Sequence, residues 1–255
     1  MSLIETARRA MAVIRKEERV IRLPEDRRIV YVGDTHGDLE AVETVIREFG
    51  DPEHVVVFLG DTVDRGPASA STLERVLAQK IARPASTFLL CGNHEAYGAV
   101  RFRIADFWES LEPHVAAELA DLLLGLPLAA WHPARVLAVH GALPDSPTLD
   151  TIASLAPGES AWRDVVWGDW RQPGEELPYV TGRPQLGPEE FRIRSATLGV
   201  RVLVRSHQPD APTYLFGDRC LTVFTSSAYG GLRRVAVLSP GRPVNTARDL
   251  ELLPV

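Results

Sequence analysis

Cysteine is scarce: Cys91 and Cys220 are the two in 255 residues, and they are not spaced as Cys-x-x-Cys. That excludes a disulfide framework and a thiolate-based structural zinc site, and it makes a reducing cytoplasm the expected compartment. Basic charge is also short. With 28 Lys plus Arg against 34 Asp plus Glu, the net charge is -6, so no whole-chain field favours a nucleic acid backbone. Lysine is nearly absent, with Lys16 and Lys80 the two examples among those basic residues. No apolar run approaches the roughly 18–20 residues that span a bilayer. The opening segment carries Glu5, Arg8 and Arg9 where a signal peptide would be apolar. Internal repeats and low-complexity tracts are missing too. What remains, 45% hydrophobic and 24% charged, is the composition of an ordinary globular protein that binds neither membrane nor nucleic acid.

Apolar spacing predicts a helix over 6–18, closed by Pro24. A strand over 28–32 then runs into Gly33-Asp34-Thr35-His36-Gly37-Asp38 and a helix over 39–49. The unit repeats: a strand over 55–59 ends in Gly60-Asp61-Thr62-Val63-Asp64-Arg65-Gly66-Pro67 and leads to a helix over 69–79. A third strand, 87–91, ends in Gly92-Asn93-His94-Glu95. Such alternation implies right-handed crossovers and a largely parallel sheet buried on both faces, with the three polar clusters on its carboxyl edge. Residues 99–124 read as helical, 128–131 and 135–139 as a hairpin followed by His140-Gly141. The Pro-, Gly- and Trp-rich stretch 144–188 suits loops over a site. A helix over 189–198 precedes a strand over 202–204 that ends in Arg205-Ser206-His207-Gln208, and short strands follow.

Six strand-ending side chains can ligate metal: Asp34, His36, Asp61, Asn93, His140 and His207. Carboxylate, amide and imidazole donors suit manganese, iron or zinc, and in that number they can hold two ions. Two ions about 3.5–4 Å apart clamp the attacking and leaving oxygens of a phosphoryl group, and a shared carboxylate such as Asp61 can bridge them. Any one of these clusters alone would read as turn chemistry, with Gly for the turn and Asp as a cap. Five of them, each ending an apolar run, would not. His54, His114 and His132 follow no such pattern and read as surface or packing residues. Asp38 and Glu95 read as supports that cap or steady the ligands. Trp162, Trp167 and Trp170 read as packing residues that could alternatively stack on a base.

Gly33-Asp34-Thr35-His36-Gly37, the Gly60–Gly66 segment and Gly92-Asn93-His94-Glu95 together resemble the three signatures of calcineurin-like metallophosphoesterases, in the form found in the phosphoprotein phosphatase family. His140-Gly141-Ala142-Leu143-Pro144, Val166-Trp167-Gly168-Asp169 and Arg205-Ser206-His207-Gln208 resemble that family's later motifs, and the likeness runs from about Ile29 to Tyr229. It implies an α/β fold with a central β-sandwich of two mixed sheets flanked by helices. It also implies an N-terminal helical extension over 1–27, one metallophosphoesterase domain over 28–240 and a C-terminal tail over 241–255.

By the same resemblance, Asp34, His36 and Asp61 would hold one divalent ion, and Asp61, Asn93, His140 and His207 a second, manganese first with iron or zinc as alternatives. His94 would be the general acid, oriented by Asp64. Arg65, Arg183 and Tyr229 would meet the substrate phosphate. The implied reaction is hydrolysis of phosphoserine or phosphothreonine monoesters in a protein or peptide by a metal-held hydroxide, without a covalent enzyme intermediate. A dinucleoside polyphosphate is the alternative substrate, and a catalytically silent scaffold the alternative outside enzymes. Cys91 stands where eukaryotic members carry Arg, and Thr225-Ser226-Ser227-Ala228-Tyr229 replaces their Ser-Ala-Pro-Asn-Tyr. The chain therefore looks bacterial or archaeal. No motif speaks to oligomeric state.

Overall fold

The computed structural model describes residues 2–172, 174, 183–231 and 233–255. Thirteen strands appear among them in chain order: β1 Val20–Arg22, β2 Arg28–Val32, β3 His54–Phe58, β4 Thr87–Leu89, β5 Ala129–His132, β6 Val136–Val139, β7 Asp169–Trp170, β8 Gln185–Leu186, β9 Val202–Arg205, β10 Tyr214–Leu215, β11 Cys220–Thr222, β12 Arg234–Leu238 and β13 Glu251–Pro254. The helices are α1 Leu3–Ile14, α2 Leu39–Phe49, α3 Ser69–Ala82, α4 Asp106–Ser110, α5 Pro113–Leu123, α6 Leu149–Ala153, α7 Ser160–Trp167 and α8 Pro188–Thr197. No helix among the described residues is long and apolar enough to cross a membrane.

One sheet runs β13-β12-β2-β3-β4 and the other β1-β5-β6-β9-β11-β10, with β7 and β8 as a separate pair. β2, β3 and β4 are parallel, as the strand-helix alternation predicts. The prediction of a largely parallel sheet nevertheless needs correction. In the first sheet β12 pairs antiparallel with both β2 and β13, and in the second β5 pairs antiparallel with β6 and β10 with β11. Both sheets are mixed and they face each other, the architecture the family resemblance implies.

Alternation within each strand divides the core. Ile29, Tyr31, Val55 and Val57 point between the sheets and meet Ala130, Ala138, Val202 and Val204. Their neighbours Val30, Val32, Val56 and Phe58 face the helical layer with Leu73, Val76 and Leu77 of α3. Because β2 and β3 are covered on both faces, they read as unbroken apolar runs.

Several boundaries differ from the sequence reading for identifiable reasons. α1 starts at Leu3 because Ser2 and Glu5 form a capping box, and it stops at Ile14 so that β1 can pair with β5. The helix expected over 99–124 is broken. Asp64 Oδ1 accepts from Phe107 N at 2.8 Å and turns the chain, and α5 restarts with Pro113 at its first position. Inside 144–188 lie α6, α7 and β7, and residues 173 and 175–182 fall outside the described ones. Trp162, Trp167 and Trp170 are buried core residues. His54 and His132 are buried as well, and His114 is exposed. Both cysteines are buried and unpaired, and burial pushes the Cys220 thiol up to about 12. Residues 251–254, read as tail, form the edge strand β13.

Tyr31 sits between the sheets with no exposure, and its hydroxyl has no hydrogen-bond partner among the described residues. An unpaired buried hydroxyl costs about 1–3 kcal/mol. Tyr31→Phe is therefore expected to raise the thermal midpoint by a few degrees, about 2–4 °C per kcal/mol in a chain of this size. A scanning-calorimetry midpoint lowered by as much would show that the hydroxyl has a partner.

Candidate metal centre and catalytic cleft

The carboxyl ends of five strands supply the site. Asp34 and His36 follow β2, Asp61 and Asp64 follow β3, Asn93 and His94 follow β4, His140 follows β6 and His207 follows β9. All eight are buried. Gly60 makes the β3 turn at φ +107°, and a Cβ there would lie 2.5 Å from Gly92 N. The loops approach so closely that only glycine fits. Asp61 and Asp64 follow at φ 53° and 66°, in the left-handed region that non-glycine residues seldom adopt.

A buried carboxylate holds this turn. Glu95 Oε2 accepts from Asp61 N at 2.7 Å and Gly92 N at 3.1 Å, while Oε1 accepts from Thr62 N and Thr62 Oγ1 at 2.8 and 2.7 Å. Burial and the neighbouring Asp61 charge push the Glu95 carboxyl up, and these donors oppose them.

The turn aims one oxygen at the centre of the site. Asp61 Oδ1 accepts from His94 N at 2.9 Å. Asp61 Oδ2 faces three imidazoles, 3.7 Å from His36 Nε2, 3.4 Å from His140 Nε2 and 3.8 Å from His94 Nε2. His36 donates Nδ1–H to Val63 O at 2.7 Å, and His140 donates Nδ1–H to Leu59 O at 3.0 Å. Each thus turns its Nε2 toward the centre. His36 Nε2 lies 3.5 Å from Asp34 Oδ2, which is buried without a hydrogen-bond partner. His140 Nε2 lies 3.1 Å from both Asn93 Oδ1 and His207 Nδ1. Two donor groups that could hold a metal, His36-Asp61-His94 and Asp61-His140-His207, share Asp61.

So many acceptors facing one another require positive charge between them, and a mixed oxygen and nitrogen donor set fits divalent cations. The carboxylates pull positive charge toward the imidazoles. Burial opposes charge on His36, but Asp34 and Asp61 outweigh it and push the imidazole up to about 9. Burial likewise opposes charge on Asp61, yet His140, His94 and His36 hold it well below the usual carboxylate range. His207 is pushed well down by burial and by Arg183, which leaves it neutral as a ligand must be.

His94 occupies the other wall. Its Nδ1 is 2.5 Å from Asp64 Oδ2, and its carbonyl accepts from Trp108 Nε1 at 3.0 Å. Phe102 packs edge-on against its ring at 4.5 Å. A cleft of about 130 Å³ opens above, with Arg65, Arg183 and Tyr229 beside Asp61, Asn93 and His207. Arg65 is exposed, anchored by its backbone N–H to Asp106 Oδ1 at 3.0 Å, and its guanidinium stands 5.5 Å from the Tyr229 ring. Tyr229 Oη is 3.0 Å from His36 Nε2. Arg183 donates Nη2–H to Asp169 Oδ1 at 2.8 Å and to His207 Nε2 at 2.6 Å, while its Nε has no partner among the described residues. Gly182, the residue before it, lies outside the described residues. All of the sequence-predicted site residues thus come together.

One support escaped the sequence reading, and a second does more than the sequence announces. Asp169 lies inside a motif of the sequence, but nothing local announces its contact with Arg183. Asp38 was read as a cap, and it does accept from Ala41 N at 3.1 Å. Its other oxygen also accepts from Ser227 N, Ser227 Oγ and Arg233 Nε, each at 2.9 Å. That tether fixes the loop carrying Tyr229 on the far side of the site, a contact 189 residues away that no local signal announces.

Comparison with known proteins converges on the same chemistry. A serine/threonine-protein phosphatase 6 catalytic subunit of Drosophila melanogaster is 29% identical over 227 residues, which cover 81% of this chain and 73% of that protein. Human serine/threonine-protein phosphatase 5 is 29% identical over 223 residues, of which this chain spans only 44% of the human length. A protein serine/threonine phosphatase from Saccharomyces cerevisiae superposes with a TM-score of 0.82 at 24% identity, covering 98% of this chain and 88% of that one. A putative diadenosine tetraphosphatase gives 0.56 at 18% identity over 93% and 98%. At those identities both likenesses are of fold. The calcineurin-like phosphoesterase family model matches residues 27–211. The chain therefore belongs to the calcineurin-like phosphoesterase family, and it is a phosphoester hydrolase.

Proposed function

We propose that the chain is a metal-dependent phosphoprotein phosphatase that hydrolyses phosphoserine and phosphothreonine monoesters. The observation that carries this reading is the buried His94–Asp64 pair, directed at the same Asp61 oxygen that His36 and His140 face. An alkoxide is a poor leaving group, and a positioned imidazolium that protonates it supplies about 10²–10⁴ in rate. Asp34, His36 and Asp61 would hold one divalent cation, and Asp61, Asn93, His140 and His207 the other, with manganese the first choice. When bound, such a pair supplies the Lewis acidity that polarises a phosphoryl group and acidifies water.

The chain's own residues do the rest. Arg65 and the unpartnered Nε of Arg183 bind phosphoryl oxygens as charge shifts onto them. Asp64, itself fixed by Phe107 N, keeps the His94 ring aimed so that Nε2 delivers its proton to the leaving oxygen. The dinucleotide alternative needs an aromatic platform for a base. Trp162, Trp167 and Trp170 are spent in the core, at 0%, 8% and 1% exposure, which favours the phosphoprotein reading.

Phosphate release by the manganese-loaded protein on a phosphothreonine peptide is expected to exceed release from diadenosine tetraphosphate, and chelation should abolish both. Faster turnover of the dinucleotide would overturn the reading. His94→Asn is expected to lower kcat by about 10²–10⁴ with bound metal unchanged by elemental analysis. Undiminished turnover would remove His94 as the acid. Asp38→Ser keeps a helix-capping oxygen but is too short to tether Ser227 and Arg233. It is expected to lower kcat/KM about tenfold with little change in melting midpoint, and to add nothing further in a Tyr229→Phe background. Full additivity of the two effects would show that Asp38 does not act through Tyr229.

A further inference from the structure

Tyr229 and Pro209 line the catalytic cleft, and they also wall a second cavity of about 230 Å³. Its other side is built where the two sheets meet, from Thr222 on β11, Arg234 on β12 and Leu252 on β13. Among the described residues, no aspartate or glutamate lines it.

Two polar groups in this wall are unused. Thr222 is 6% exposed, and its hydroxyl has no hydrogen-bond partner among the described residues. Arg234 is half-buried, and its main chain is occupied, its N–H by Phe224 O and its carbonyl by Thr225 Oγ1. Among the described residues its guanidinium has neither a carboxylate nor a carbonyl partner. Its neighbour Arg233 is fully employed by Asp38 and Glu40. A half-buried arginine and a buried unpaired hydroxyl thus line one cavity, and an incoming carboxylate is the partner that the guanidinium lacks.

The geometry points to this cavity as a substrate subsite that takes an acidic side chain of the phosphopeptide, close in sequence to the phosphorylated residue. The inference rests on the phosphoprotein reading above. Two cavities that share a wall one side chain thick are separated by about one to three residues of extended peptide, at roughly 3.3 Å each. A carboxylate there meets Arg234 and Thr222. A lysine meets the guanidinium and is repelled.

The test uses the manganese-loaded full chain and phosphothreonine peptides that differ only in Glu, Ala or Lys at the flanking positions, with p-nitrophenyl phosphate as a substrate that cannot reach the cavity. The Glu peptide is expected to exceed the Lys peptide about tenfold in kcat/KM. Arg234→Glu should invert that order, and Thr222→Val should narrow the gap between the Glu and Ala peptides. Both variants should hydrolyse p-nitrophenyl phosphate as the parent does. Should Arg234→Glu lose that activity through misfolding, Arg234→Gln decides by the same readout, with the preference expected to vanish. Equal turnover of the three peptides by the parent, or an unchanged order in the Arg234 variants, overturns the subsite. Hydrolysis of p-nitrophenyl phosphate with no turnover of any peptide would instead remove the phosphoprotein reading, and the proposed occupant with it.

Discussion

The site depends on one buried carboxylate that touches neither metal nor substrate. Glu95 gathers the N–H groups of Asp61, Thr62 and Gly92 and so binds the loop after β3 to the loop after β4. Without those bonds, nothing in the chain's local preferences would keep Asp61 at positive φ, a conformation that costs about 1–3 kcal/mol in a non-glycine residue. Among the described residues, eight non-glycines have positive φ, and five of them are His36, Asp61, Asp64, Arg65 and His207. Strain is thus concentrated where the candidate ligands and the arginine proposed to bind phosphate leave their strands at unusual angles. The hydrogen bonds that surround them hold it in place.

The sandwich explains why the ligands come from distant parts of the sequence. Parallel strands point their carboxyl ends the same way, so β2, β3 and β4 deliver three loops to one edge of one sheet. In the facing sheet, β6 and β9 are also parallel, and they deliver His140 and His207 to the same edge. The sheets are laced together there. Asp34 N donates to Ser206 Oγ at 2.8 Å, His207 N to Asp34 Oδ1 at 3.3 Å and Thr225 N to Asp34 O at 3.1 Å. Asp34 is therefore a structural junction as well as a candidate ligand, and the inter-sheet core built on Ile29, Tyr31 and Val57 sets the distance between the two halves of the site.

Much of this was legible because the informative residues are local to their strands. An apolar run followed by Gly-Asp or Gly-Asn is visible in any window, and the helix over 39–49 and its neighbour after Ser69 appear where spacing puts them. What escaped depends on distance in the chain. The pairing of β12 with β2, and of β1 with β5, joins segments separated by more than 100 residues, and nothing in either segment names its partner. The break between residues 99 and 112 has the same origin, since Asp64, far upstream, captures Phe107 N. Asp38 shows the limit most clearly: its position before a helix announces a cap, but its second oxygen serves a loop near the other end of the chain.

Charge placement links the interior to the rim. The centre is rich in carboxylates and imidazole lone pairs, and it recruits positive charge from outside the chain. The arginines that could have neutralised it are held at the edge instead. Arg65 is fixed by its backbone, and among the described residues its guanidinium meets no carboxylate, while Arg183 leans on Asp169 with Nε unspent. Had either reached inward to pair with Asp34 or Asp61, the candidate metal-binding acceptors would be satisfied and an incoming phosphate would meet no donor. Keeping anions at the floor and cations at the rim sets two complementary fields a few ångströms apart, and a phosphoryl group is an anion that must ligate at one end and be clamped at the other. An acidic protein with an arginine-edged cleft is consistent with that demand, because the net charge of the chain and the field inside its cleft answer to different residues.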